Sequence, residues 1–250
     1  MPRLPRAEEM KVSPGGALDD KAFREHPDAV RLAAAGLPNQ DVSVAPTRTP
    51  WGTWEPLTPS QVSQLFAAAG APWWLAGGYA IELAVGRRFR EHADVDVLLL
   101  RRDQLIAQHV LAGWEWWAAD PPGRLRRWLP GETLPAAVRD IWCRPTADQP
   151  WRIQLMLDEA SGEEWVSCRN PGLRQPISSL GRTSEEGFPY LAPEIQLFYK
   201  AKTPRAKDDA DFAAVLPLLN TRQRQWLVKA ITETYGTRHW LTRLTSDARH

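Results

Sequence analysis

Two short apolar runs, separated by a pair of glycines and a helical stretch, decide most of what this chain can fold into. The first run is Trp73-Trp74-Leu75-Ala76, which is strand-like. Gly77-Gly78 breaks it, residues 79–85 carry helical spacing, and Gly86 closes that helix. The second run is Asp94-Val95-Asp96-Val97-Leu98-Leu99-Leu100. Its β-branched and leucine content, between charged flanks, reads as a buried strand. Strand, glycine turn, helix and strand in that order belong to a mixed α/β layer architecture.

The flanking sequence extends the pattern. Thr58-Pro59-Ser60-Gln61 places a capping residue before a proline at the first helical position, and Val62, Leu65, Phe66 and Ala69 form one helical face. Residues 101–112 read as an amphipathic helix, 114–118 as a strand and 123–135 as a loop. Strands are expected over 140–144, 151–158 and 165–168. From Pro193 the character is helical, with helices starting at 193, over 208–216 and over 221–235, and Pro217 and Gly236 stop the last two. Residues 1–57 hold eight prolines and one helical stretch near 19–35, and read as a loosely docked or disordered arm. The expected division is thus an arm (1–57), an α/β domain (58–192) and a helical C-terminal region (193–250).

Bulk properties narrow the function classes. A chain of 250 residues is long enough to bury its own core without staples. Lys plus Arg number 31 and Asp plus Glu 30, a net charge of +1, which argues against a general nucleic-acid coat or a membrane-surface protein. The charged start, residues 1–11, leads into no apolar signal segment. The longest uncharged run, 56–81, is broken by Pro59, Gly70, Pro72, Gly77 and Gly78, so no membrane span is expected. Cys143 and Cys168 lack metal-site spacing and fit a reducing cytoplasm, with a single disulfide as the alternative. Thirteen tryptophans are many, but their number names no ligand.

The residues that carry chemistry are Gly77-Gly78 and Asp94-Val95-Asp96. Two residues apart on a strand, Asp94 and Asp96 share a face. Two carboxylates on one face repel unless a cation lies between them. A hard cation such as Mg²⁺ takes one or two carboxylates and completes its shell with water and phosphate oxygens. The glycine turn lets backbone approach a polyphosphate at a helix N-terminus. Most such aspartate pairs are surface charges or caps. Asp96, however, lies among Val95, Val97 and Leu98, where an unpaired charge is costly.

The stretches Leu75-Ala76-Gly77-Gly78-Tyr79-Ala80 and Gly86-Arg87-Arg88-Phe89-Arg90-Glu91-His92-Ala93-Asp94-Val95-Asp96 resemble the signature of the nucleotidyltransferase superfamily, and within it the aminoglycoside and lincosamide branch. Ala192-Pro193-Glu194-Ile195, Lys200-Ala201-Lys202 and residues 205–212 resemble the helical part of the same branch. The resemblance runs over about 58–219. It implies a mixed sheet flanked by helices, a helical C-terminal region closing over the nucleotide, and Mg²⁺ held by Asp94 and Asp96 against a nucleoside triphosphate, ATP first. It implies transfer of a nucleoside monophosphate to a hydroxyl of a small molecule such as an antibiotic. Gly77, Gly78, Lys200, Lys202 and Lys207, with Arg205, would meet the phosphates. The alternative for 202–209 is a solvated loop. Asp208 and Asp211 read as a helix cap and its ion pair.

The same resemblance expects a third carboxylate on a later strand, as metal ligand or base. Its position falls nearest Gln154. Asp158 lies on the same strand face further along, and Glu159 is reachable through a bulge. His92 could ligate a transition metal in His-x-Asp-x-Asp, but a hydrogen bond in the turn is the plainer reading. The cysteines have no evident histidine partner for nucleophilic catalysis. Trp114, Trp116, Trp117 and Trp128 either line an acceptor groove or fill the core. Two alternatives therefore stand beside the small-molecule enzyme. One is a nucleotidyltransferase acting on RNA or protein, for which 124–128 and 222–226 interleave basic and aromatic residues. The other is a nucleotide-binding or interaction module with a lapsed site, such as a toxin–antitoxin component. The oligomeric state is open.

Overall fold

The structure is a computed structural model that describes residues 10–11, 46–121 and 123–246. In chain order its elements are β1 (Met10–Lys11), β2 (Thr47–Thr49), β3 (Gly52–Trp54), α1 (Pro59–Phe66), β4 (Trp73–Ala76), α2 (Gly77–Val85), β5 (Asp96–Leu100) and α3 (Ile106–Val110). Then come β6 (Glu115–Ala119), β7 (Arg124–Arg127), β8 (Asp140–Arg144), β9 (Ile153–Ser161), β10 (Glu164–Val166), β11 (Arg174–Pro176), β12 (Gly181–Thr183) and β13 (Pro189–Leu191). Helices α4 (Pro193–Lys200), α5 (Ala206–Val215), α6 (Thr221–Tyr235) and α7 (Trp240–Ser246) complete the chain. The class is mixed α/β with a mixed sheet, flanking helices and a helical C-terminal region, as expected. The described residues divide between two compact units, one holding 10–11, 46–72 and 90–157, the other 73–89 and 158–246.

In the first unit the strand order is β1-β7-β6-β8-β9-β5. Neighbours from β1 to β9 run antiparallel. Strand β5 is buried from Val97 to Leu100. Helix α1 starts at a reciprocal cap: the Thr58 hydroxyl accepts from the Gln61 amide at 3.3 Å, and Gln61 Oε1 accepts from the Thr58 amide at 3.0 Å. Val62 and Phe66 are its buried residues.

The described part of the proline-rich segment is docked by aromatic packing. Trp51 and Trp54, from the β2–β3 hairpin, share a core cluster with Trp142 and Trp151. The Trp151 backbone amide donates to Thr53 at 2.8 Å, and its indole N–H to the Trp51 carbonyl at 2.8 Å. Trp54 and Trp142 meet edge to face at 5.0 Å, the geometry their quadrupoles favour. The helical stretch expected near 19–35 lies outside the described residues.

Strands β1–β3 and β11–β13 and helix α7 were not expected, and two further elements differ from expectation. The helix over 101–112 is cut short: Arg101–Asp103 is one 3₁₀ turn, and α3 covers only Ile106–Val110. The Arg101 guanidinium donates to the Pro135 and Ala136 carbonyls at 2.9 and 3.3 Å, while the Gln104 side chain binds the Arg101 carbonyl and the Leu134 amide. These polar side chains serve the 134–136 loop instead of a solvated helix face. The loop expected over 123–135 contains β7, which pairs with β6 although Leu125 is its one apolar residue.

In the second unit β13 lies parallel to β4 and antiparallel to β12. The last residues of β9 pair with β10, and β10 with β11. Helix α2 packs on β4, β13, α4 and α5, α4 packs also on α5 and α6, and α6 on α7. Gly181 makes room for Trp74: a Cβ there would lie 2.0 Å from indole Cδ1.

Candidate active site

Strand β5 begins at Asp96, and the ladder reaches one residue further back, because the Gln154 amide donates to the Val95 carbonyl at 2.9 Å. Val95 and Val97 are fully buried, whereas Asp94 and Asp96 are half-buried. That alternation is the period of a strand, and it sets both carboxylates on one side of the backbone. Two hard oxygen donors so placed suit a divalent cation that keeps open positions for water and phosphate. Among the described residues no group of three His, Cys, Asp or Glu gathers as a metal cage. His92 is buried, and its Nδ1 lies 3.0 Å from Arg90 Nη1, a contact within the turn leading to Asp94.

Gln154 is the β9 residue beside this pair. Its side-chain amide donates to Asp140 Oδ1 on β8 at 3.1 Å. Where the resemblance expects a third carboxylate, Gln154 carries an amide that draws on a carboxylate one strand away. Asp140 carried no signal in the sequence, because it meets Gln154 only through the β8–β9 register.

In the second unit β4 passes directly into α2 at Gly77, so the glycine pair forms the first turn of the helix rather than a break before it. Gly77 has φ +64°, the left-handed region that a side chain disfavours. Its N–H is not open: it donates to Gln196 Oε1 on α4 at 2.8 Å. Gly78 is buried in the same turn, and Gly86 caps the far end, its amide donating to Glu82 at 2.8 Å.

The lysines expected at phosphates have different surroundings. Lys200 Nζ lies 2.9 Å from both Asp208 Oδ1 and Asp211 Oδ2, with all three side chains buried. Asp208 also accepts from the Arg205 amide at 3.1 Å and from its Nε at 2.8 Å. Burial alone would push the Asp208 carboxyl up, but the Arg205 hydrogen bond and the Lys200 charge hold it far below the usual carboxylate range. Lys202 is exposed and Lys207 half-buried.

Asp158 is 1% exposed and accepts four hydrogen bonds. Oδ1 takes the amides of Glu159 (3.0 Å) and Cys168 (2.7 Å). Oδ2 takes the Trp165 indole (2.7 Å) and the Tyr199 hydroxyl. Burial, then the neighbouring Asp158 charge, raises the Tyr199 hydroxyl well above its ordinary value, so Tyr199 stays a neutral donor. Glu159 is half-buried at the next position. Neither cysteine forms a disulfide, and burial pushes the Cys143 thiol far above its usual range, which makes it a poor nucleophile. Trp128 is a core residue at 2% exposure, while Trp114, Trp116 and Trp117 are half-buried. No described helix is long and apolar enough to cross a membrane.

Comparison with curated proteins gives no match. Among solved structures, similar chains include the lincosamide antibiotic adenylyltransferase LnuA with lincomycin bound, at 14% identity over 64% of this chain and 95% of that one, TM-score 0.44. Another is ANT(2'')-Ia in complex with adenylyl-2''-tobramycin, at 13% identity over 70% and 97%, TM-score 0.44. The family model described as aminoglycoside-2''-adenylyltransferase matches residues 60–113, about a fifth of the chain. That span includes α1 from its second residue, the Gly77-Gly78 turn and Asp94-Val95-Asp96, so the match to the aminoglycoside adenylyltransferase model covers the same residues that carry the candidate chemistry.

Proposed function

We propose that this protein is a Mg²⁺-dependent nucleotidyltransferase that moves AMP from ATP to a hydroxyl of a small, antibiotic-like molecule. The observation that carries the reading is the carboxylate pair Asp94 and Asp96, set on one side of a buried strand start and lying inside the span that matches an adenylyltransferase family. In this reading Asp94 and Asp96 hold the cation, which neutralises phosphate charge when bound. The acceptor hydroxyl oxygen bonds to the α-phosphorus, and the α–β anhydride bond breaks. Pyrophosphate leaves with the electron pair, and the hydroxyl proton passes to a carboxylate or to water. The chain's task is mainly to position groups. Asp158, with both oxygens engaged, is assigned to the fold rather than to the base, and Lys200 to its two aspartates rather than to phosphate. The turn at Gly77 and Gly78 and the side chains of Lys202 and Lys207 remain candidates for nucleotide contact, and the cytoplasm is the proposed location.

A small acceptor is preferred to RNA because the basic run on β7 is compensated. Arg126 pairs with Asp120 at 2.8 Å and Glu132 at 2.7 Å, and Arg127 and Arg144 converge on Glu115. A second reading, nucleotide binding without turnover, is favoured by one observation: Gln154 lies where a third carboxylate is expected. Calorimetry of ATP binding with and without Mg²⁺, on wild type and Asp96→Asn, tests the nucleotide site. Mg²⁺-dependent binding that Asp96→Asn weakens supports both readings. Label transfer from α-labelled ATP to aminoglycosides and lincosamides separates them. Absence of Mg²⁺-dependent nucleotide binding by the wild type removes both.

A further inference from the structure

The second unit contains an arginine that the sequence reading passed over. Arg169 follows β10 in a turn whose backbone is tightly held. The Ser167 hydroxyl accepts from the amides of Arg169 (3.2 Å) and Asn170 (3.4 Å). The preceding amide, of Cys168, is bound by Asp158. Asn170 donates from its side chain to Thr234 of α6 at 3.1 Å and accepts from Gly172 at 3.0 Å. The guanidinium is half-buried and lies 5.0 Å over the Tyr199 ring, with the Tyr235 hydroxyl beside it. Yet it forms no ion pair with any carboxylate among the described residues. Asp158 shares Tyr199 with it, but already accepts four hydrogen bonds. Arg238 lies 5.8 Å over the Tyr235 ring, donates to the Thr237 carbonyl, and also lacks an acidic partner there.

A guanidinium taken partly out of water needs an anion, and its planar fork matches phosphate oxygens. The place matters as much as the charge. Tyr199 stands three residues after Gln196 on α4, so the two share one helix face. Gln196 accepts from the Gly77 amide at that face. The turn that opens α2 and the stack that holds Arg169 are thus one helical turn apart along α4.

We propose that Arg169, supported by Arg238, binds the oxygens of a pyrophosphate-like anion within the second unit, free or as the tail of a nucleoside triphosphate. Asp158 and Tyr199 are positioning residues that hold the arginine's turn and ring. This inference rests on the nucleotidyltransferase reading for its ligand but stands on separate residues.

The test is calorimetric binding of inorganic pyrophosphate and of Mg·ATP to the full chain as wild type, Arg169→Met, Arg169→Lys and Arg238→Met. Arg169→Met should weaken both ligands roughly 10- to 100-fold, the scale of lost charge-assisted hydrogen bonds. Arg169→Lys should lose less, and Arg238→Met less again. Folded Arg169→Met that binds pyrophosphate like wild type overturns the assignment, as does a wild type that binds no pyrophosphate. If Arg169→Met fails to fold, the lysine variant decides. It keeps the charge but not the fork, and unchanged pyrophosphate affinity in it is also a refutation. If the wild type binds pyrophosphate in an Arg169-dependent way but shows no Mg²⁺-dependent ATP binding, the anion site stands and the nucleotidyltransferase reading falls.

Discussion

A carboxylate has about four lone-pair sites, and Asp158 has four donors. No direction remains for a metal or a substrate proton, and the group is closed off from water. Its partners bring together the end of β9, the turn after β10 and helix α4. Replacing one oxygen by an NH₂ group turns two of the four contacts from attraction to donor against donor. Asp158→Asn is therefore expected to cost about 2–4 kcal/mol in folding free energy. Chemical denaturation measures it directly. A catalytic role would instead show as lost turnover with stability intact. None of this was readable in the sequence, where Asp158 looked like a carboxylate at the end of a strand. Its Trp165, Cys168 and Tyr199 partners lie 7, 10 and 41 residues away, and only the hairpin and the docking of α4 bring them in.

Between elements, the buried charges of Lys200, Asp208 and Asp211 join the last turn of α4 to α5. Removing the lysine leaves two buried carboxylates with Arg205 as their named cation, and breaking such a set costs about 3–5 kcal/mol. Lys200→Met should lose that much in urea unfolding. The pH dependence has a definite sign. Asp208 titrates lower in the folded chain than in the unfolded one, so its contribution is complete above the unfolded carboxylate value, about 3.9. It is lost as pH falls below that value. Wild-type stability should drop steeply on acidification below about pH 4, and Lys200→Met should show a shallower slope. Sheet packing gives a second prediction. Gly181→Ala puts a methyl 2.0 Å from the Trp74 indole and 2.8 Å from the Tyr190 carbonyl, and should destabilise by about 1–3 kcal/mol or more. Calorimetric melting checks it. The elements legible in the sequence were those defined by local period and breakers: the β4–α2–β5 succession, α1 behind Thr58, and α6 up to Gly236. Strand β7 was not legible, since Arg-Leu-Arg-Arg has no apolar alternation and owes its pairing to β6. Nor was the interruption after Arg101, which depends on a loop more than thirty residues on.

At the scale of the molecule, the residues proposed for nucleotide chemistry belong to two compact units: Asp94 and Asp96 to one, the Gly77 turn and Arg169 to the other. A ligand that binds the folded chain and not the unfolded one stabilises it by mass action, without any new protein contact. At a ligand concentration 100-fold above Kd the gain is about 2.7 kcal/mol. For a chain of this length that corresponds to a rise in melting temperature of roughly 5–10 °C. Mg·ATP should produce that rise in the wild type, EDTA should remove it, and Asp96→Asn should abolish most of it. Arg169→Met should reduce it in the presence of Mg²⁺ while leaving the Mg²⁺ requirement in place, because the arginine meets phosphate and not the cation. A rise of equal size in Asp96→Asn and wild type would separate nucleotide binding from the aspartate pair, and would leave Asp94 and Asp96 as charges that serve the strand rather than the reaction.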